Sequence, residues 1–213
     1  MPASAPLPAG LAEPIPFYVT PYYNSEGPEI NVGPLSPALL YATPDTIGPI
    51  AEGLAPALAY QPAVVLFVLA VRLFDLGQRD EGLYWFYQAQ YRARLLHRVL
   101  DPEQVGQIFD PAFEVDSAHG AFMDLAGPYF NGYAGCSLER WLGTIARVQA
   151  DNQTAPDFSL SYPGLALRPA AEWPALNQQV NDGMSQLAAA LRDGWDEVQA
   201  ERRANGTHER FCG

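Results

Sequence analysis

The sequence predicts an all-α fold: a single domain of six to eight helices behind an extended N-terminal arm. Three observations predict it. Residues 62–100 form two long stretches of helical periodicity that meet at Gly77. Near the other end, Leu176, Val180, Met184, Leu187, Leu191, Trp195 and Val198 recur every three or four residues, which places them on one helix face. Strand-like composition is confined to FYVTPYY at 17–23, where Pro21 demotes it to an edge or arm, and to a short run at 158–162.

Taken in order, residues 1–16 carry Pro2, Pro6, Pro8, Pro14 and Pro16 and lack the basic and apolar regions of a signal peptide. They read as an extended lead-in, with the helical domain occupying residues 17–213. Asn24, Ser25 and Gly27 mark a turn. Loose helical spacing of Leu35, Leu39, Ile47, Ile50, Leu54 and Leu58 predicts two short or kinked helices over 37–41 and 44–59. Residues 62–76 are apolar almost all round, yet shorter than the roughly 20 residues needed to span a bilayer. They predict a buried helix, opened by Pro62 and closed by Gly77. The following helix carries one stripe of Leu83, Phe86, Tyr87, Gln90, Arg94 and His97 and another of Trp85, Ala89, Arg92, Leu96 and Val99. Aromatic residues on two faces predict neighbours on both sides. One of Arg92 and Arg94 is then expected to pair with a carboxylate such as Asp75, Asp80 or Asp116.

Further along, short helices are expected over 103–109 and 112–126, the second ended by Gly127–Pro128, with a turn at Asn131–Gly132. Ser137 is a good N-cap for a helix through Gln149. Residues 151–171 lack periodicity and predict a loop, and the apolar stripe that follows predicts one long helix over 174–204.

Two resemblances accompany these patterns. Ala70, Leu73, Gly77, Asp80, Glu81, Gly82, Phe86 and Ala89 fall where a tetratricopeptide-type helical hairpin places its small and large residues, with Gly82 at the position of the usual alanine. No second copy follows at a period of about 34 residues, so the resemblance implies one hairpin and no solenoid. The combination of PFYVTPYYNSEGPEINVG, GQRDEGLYWFYQAQYRAR and FNGYA resembles a group of uncharacterised bacterial helical proteins, some of which are similar to the immunity partners of secreted toxins.

The chain has 213 residues, 12 basic and 24 acidic, for a net charge of −12, and every basic residue is an arginine. Such acidity argues against a nucleic-acid partner, which needs clustered cations, and favours a basic protein. Cys136 and Cys212 fit a reducing compartment better than a disulfide framework, so the expected location is the cytoplasm.

Chemistry-bearing residues are few. Asp116, His119 and Asp124 in EVDSAHGAFMD form the most suggestive polar cluster, with Glu114 beside it; a helix would bring some of them to one face for metal binding or acid–base use. Cys136 could pair with His119 as thiol and imidazole, the default being a buried structural cysteine. No serine sits in a nucleophile elbow, and no glycine-rich phosphate loop is followed by lysine. The sequence therefore implies no resident cofactor or metal and no catalytic residue. The expected function is that of a cytoplasmic immunity protein that occludes a toxin domain, with Asp151, Asp157 and Tyr162 of the long loop as contact residues. A small helical enzyme using residues 114–124 and a peptide-binding scaffold are the alternatives.

Overall fold

The computed structural model describes residues 32–103 and 110–212. The arm and strand expected within 1–31, and the short helix expected over 103–109, lie wholly or mostly outside them. The described residues form one helical domain with no strand; its only β-pairing is an isolated antiparallel bridge between Leu100 and Leu167.

The apolar run becomes α3 (Ala63–Asp75), and the aromatic run becomes α4 (Arg79–Val99). Between them Gly77 takes the left-handed conformation, φ 88°. Its N–H reaches the Phe74 carbonyl and that of Gln78 reaches Leu73, a two-bond closure that satisfies the orphan carbonyls of α3. The two helices then pack almost backbone to backbone. A Cβ on Gly82 would lie 3.0 Å from both the Ala70 carbonyl oxygen and the Phe74 nitrogen. That close approach explains why glycine replaces the alanine of the hairpin pattern.

Helix α5 (Pro111–Ala134) lies across this pair. Phe86 stacks on Phe130 at 4.1 Å between centroids, Phe67 stacks on Phe122 at 4.9 Å, and Phe74 meets Phe130 edge-on at 4.8 Å. The opposite side of α4 is covered by α6 (Leu138–Asp151) and α8 (Trp173–Asp193). Helices α1 (Ser36–Leu40) and α2 (Ile47–Leu54) cap α3, where Arg72 donates to the Leu39 and Ala42 carbonyls. Helix α2 continues as a 3-10 turn, Ala55–Tyr60, which packs against the four-residue α7 (Phe158–Ser161).

Three expectations are corrected here. Helix α5 does not stop at Gly127–Pro128; it runs on to Ala134, and Asn131–Gly132 is helical. Burial of Phe130 and Ala134 outweighs the hydrogen bond that Pro128 removes. Residues 158–162 hold a helical turn, with Asp157 as its cap, instead of a strand. The long terminal helix is broken at Gly194 into α8 and α9 (Trp195–Ala204), followed by α10 (Thr207–Cys212). Glycine costs a helix about 1 kcal/mol, little enough for packing to decide whether the helix continues.

What that break permits is a fourth correction. Cys136 and Cys212, expected as free thiols, form a disulfide across a separation of 76 residues. Helices α9 and α10 fold back on the end of α5, and the Arg202 guanidinium lies over Gly135, where a Cβ would clash at 2.5 Å. Arg202 donates to the Gly132 carbonyl at 2.8 Å. A persistent disulfide belongs to an oxidising compartment, so the cysteine argument for a cytoplasmic location falls away. No described helix is long and apolar enough to cross a membrane.

Two stability measurements test this architecture. Phe86→Ala, at 0% exposure in the aromatic cluster, should cost about 3–5 kcal/mol. An unchanged urea midpoint would show that the α3–α4–α5 contact is not the core. Removing the disulfide, by reductant or by Cys212→Ser, should cost about 4 kcal/mol from loop closure and lower the melting midpoint by roughly 10 °C. Identical melts with and without reductant would mean that the thiols are unpaired.

Candidate functional site

Helix α5 keeps Asp116 and His119 of the expected polar cluster beside one cleft and turns Asp124 to solvent. Asp116 turns toward α4, where its carboxylate meets His97 Nδ1 at 2.8 Å. His119 turns into the core, 6% exposed, with its ring 6.2 Å from that of Phe67. Burial pushes its pKa down to about 4, against the smaller opposing pull of Asp116, so it is neutral at pH 7. Asp124 and Glu114 face solvent. A shallow cleft of about 260 Å³ between α4 and α5 is lined by Arg94, His97, Asp116, His119 and Met123, whereas Asp124 lies outside its lining. Among the described residues no group of three His, Cys, Asp or Glu side chains could hold a metal. Cys136, committed to its disulfide, offers no thiol to His119.

A larger polar feature runs along a third face of α4. Tyr84, Gln88 and Tyr91 are spaced four and three apart and point between α6 and α8. The Tyr84 hydroxyl donates to Asp151 at 2.7 Å and accepts from Gln88 at 3.0 Å. Gln88 accepts from the Asn152 amide at 2.6 Å, and Asn177 donates to the Asn152 carbonyl at 2.9 Å. Tyr91 donates to Asn177 Oδ1 at 2.8 Å and accepts from Asn181 at 2.7 Å. Most of these buried groups satisfy one another, which is what lets them sit in a helical core, while Asn181 Oδ1 has no hydrogen-bond partner among the described residues. Desolvation raises the Tyr84 hydroxyl to about 12 and also raises that of Tyr91. Sequence reasoning overlooked this face; its signal was the recurrence of amides, Asn177 and Asn181 above all, on otherwise apolar helical stripes.

The chain emerges at Asp151, on the rim of a pocket of about 500 Å³ between the Ala55–Tyr60 turn, α4 and the end of α6. Arg147 stands at its mouth, stacked on the Tyr84 ring at 3.5 Å and paired with Glu81 through bonds of 2.7 and 3.3 Å. Deeper lies Arg92, only 3% exposed. Among the described residues Arg92 joins no ion pair with a carboxylate: Asp80 pairs with Arg140 and Asp116 with His97. Arg92 Nη1 donates instead to the Ala59 carbonyl at 3.2 Å, and its buried Nε has no hydrogen-bond partner. Desolvation lowers its pKa to about 10. Arg94, by contrast, is exposed.

The three expected contact residues thus have different surroundings. Asp151 lines the pocket. Asp157 is exposed and caps α7, accepting from the Ser159 N–H at 3.0 Å. Tyr162 is half-buried; its hydroxyl accepts the Ala63 N–H at 2.8 Å, and its ring packs beside Phe158. It holds the start of α3 in place, and burial raises its hydroxyl to about 12.

No family model matches the chain. A protein of Haemophilus influenzae, described as uncharacterized, is 26% identical to it over 208 residues, spanning 93% of this chain and 78% of the relative. No solved structure matches.

The inward turn of His119 makes a pH signature. An unfolded histidine titrates near 6.5, whereas the folded one stays neutral down to about 4. Above pH 6.5 the two states bind protons alike. As the pH falls below that value, the unfolded chain takes up a proton that the folded chain refuses, so stability declines by roughly 2 kcal/mol between pH 7 and 4.5. Urea titrations of wild type and His119→Gln across this range should show the variant losing less stability on acidification. Parallel profiles would place His119 in solvent.

Proposed function

We propose that this chain is a protein-binding module of the immunity type, which covers a functional surface of a basic toxin domain. The observation that carries the reading is the surface beside the Arg92 pocket. Leu160 on α7 and Tyr60 on the packed-together 3-10 turn are 60% and 55% exposed, with the carboxylates of Asp157 and Asp151 at the same end. Exposed apolar anchors beside acidic groups are how an interface combines burial with steering of a positive partner. The net charge of −12 has the sign that attracts such a partner over long range. The resemblance of the sequence to bacterial proteins similar to immunity partners points the same way. An oxidising compartment, favoured by the disulfide, replaces the expected cytoplasm as the place of action.

Tyr162 supports α3, so Leu160 is the better probe of the apolar contact. The test uses the product of the adjacent gene, co-expressed and purified with this protein. Asp151→Asn with Asp157→Asn should slow association severalfold at low salt and little at high salt. Leu160→Ser should speed dissociation about tenfold or more while the melting midpoint stays at the wild-type value. Absence of a complex, or rates indifferent to salt and to Leu160, would refute the reading.

A further inference from the structure

We propose that the Arg92 pocket is a binding site for a small organic monocarboxylate with an apolar body. A buried guanidinium is costly unless its charge is met, and proteins meet it with a carboxylate. Among the described residues Arg92 joins no ion pair; the hydroxyls of Tyr162, Tyr84 and Tyr91 act on it electrostatically, and Arg147 and Asp151 line the same pocket. Those phenols are neutral at pH 7. The other charges at the pocket have partners of their own, Arg147 pairing with Glu81 and the Asp151 carboxylate accepting from Tyr84. Arg92 is left with a single backbone carbonyl on Nη1 and an unused Nε, in a pocket that solvent can enter. The planar fork of the guanidinium suits carboxylate geometry.

The rest of the pocket specifies the ligand's body. Its volume of about 500 Å³ lies within the range of small-molecule sites and far exceeds an inorganic ion. Leu58, Ala59, Ala155 and Pro156 give it apolar walls. A carboxylate placed on Arg92 would lay a short aliphatic or aromatic tail against them. The inference goes beyond the protein-binding reading, because it concerns the depth of the pocket and needs no partner chain.

Thermal melts of the full-length protein, at fixed pH and ionic strength, test it with hexanoate, benzoate, hexanamide and inorganic phosphate as probes. Hexanoate or benzoate should raise the midpoint saturably, by about 3 °C at tenfold excess over Kd, whereas hexanamide and phosphate should not. Arg92→Gln should weaken the apparent affinity for the active carboxylate at least tenfold. Ala155→Trp, which fills the pocket and leaves Arg92 in place, should abolish the shift, and it decides the matter if Arg92→Gln fails to fold. Three results would overturn the proposal: no response to either carboxylate, an equal response to hexanamide or phosphate, or a response that survives Ala155→Trp.

Discussion

The close approach of α3 to α4 at Gly82 is the constraint on which the rest of the structure depends. With a Cβ there, contacts of 3.0 Å to two backbone atoms of α3 would force the helices apart. At the observed separation Phe67, Phe74 and Phe86 share one layer, and α5 completes it with Phe122 and Phe130. Interiors are packed as densely as organic crystals, so widening one helix pair would open every contact in that layer. The hairpin resembles a tetratricopeptide repeat in its small and large positions, but its outer faces are covered by α5, α6 and α8 instead of by further repeats.

Burying α4 on every side creates a second problem, because the helix is rich in polar groups. Tyr84, Gln88 and Tyr91 are satisfied by amides and a carboxylate from α6, the turn after it, and α8, so α6 and α8 are bound to α4 by hydrogen bonds as well as by apolar contact. Tyr87 is satisfied separately, accepting from Trp141 and donating to Asn131. Trp85 Nε1 and Arg92 Nε are left without partners among the described residues. Of the two, Arg92 carries a charge, joins no ion pair there, and lines the pocket at whose rim Asp151 stands. The protein's structural polarity and its candidate site are thus two ends of one feature.

The C-terminal segment closes the domain by a different device. Helices α9 and α10 contribute little buried apolar surface, and Arg202 is the sole residue of the two that is fully buried. Their attachment rests on the hydrogen bond from Arg202 to Gly132, on Phe211 packed against Gly132, and on the disulfide. A covalent tie is most useful where apolar contact is thin, because it restricts the unfolded chain regardless of what the folded segment buries.

By itself the sequence determined the helical class, the α3–α4 hairpin with its turn at Gly77, the cap at Ser137 and the apolar stripe of α8. All of these follow from spacings of three and four residues and from backbone preferences, which act within a turn or two of helix. It misjudged the passage of α5 through Pro128 and the break at Gly194, where local costs of about 1–3 kcal/mol compete with burial set by residues far away in the chain. It brought Asp151 to notice, through the aperiodic stretch that follows it, but could not place Arg92 beside it. Only the tertiary structure decided that Cys136 meets Cys212, that the His119 ring packs beside Phe67, and that Arg92 joins no ion pair among the described residues. Each is a choice of partner across tens of residues. A side chain's periodicity fixes the face it occupies, whereas its partner is fixed by which other face the whole chain packs against it.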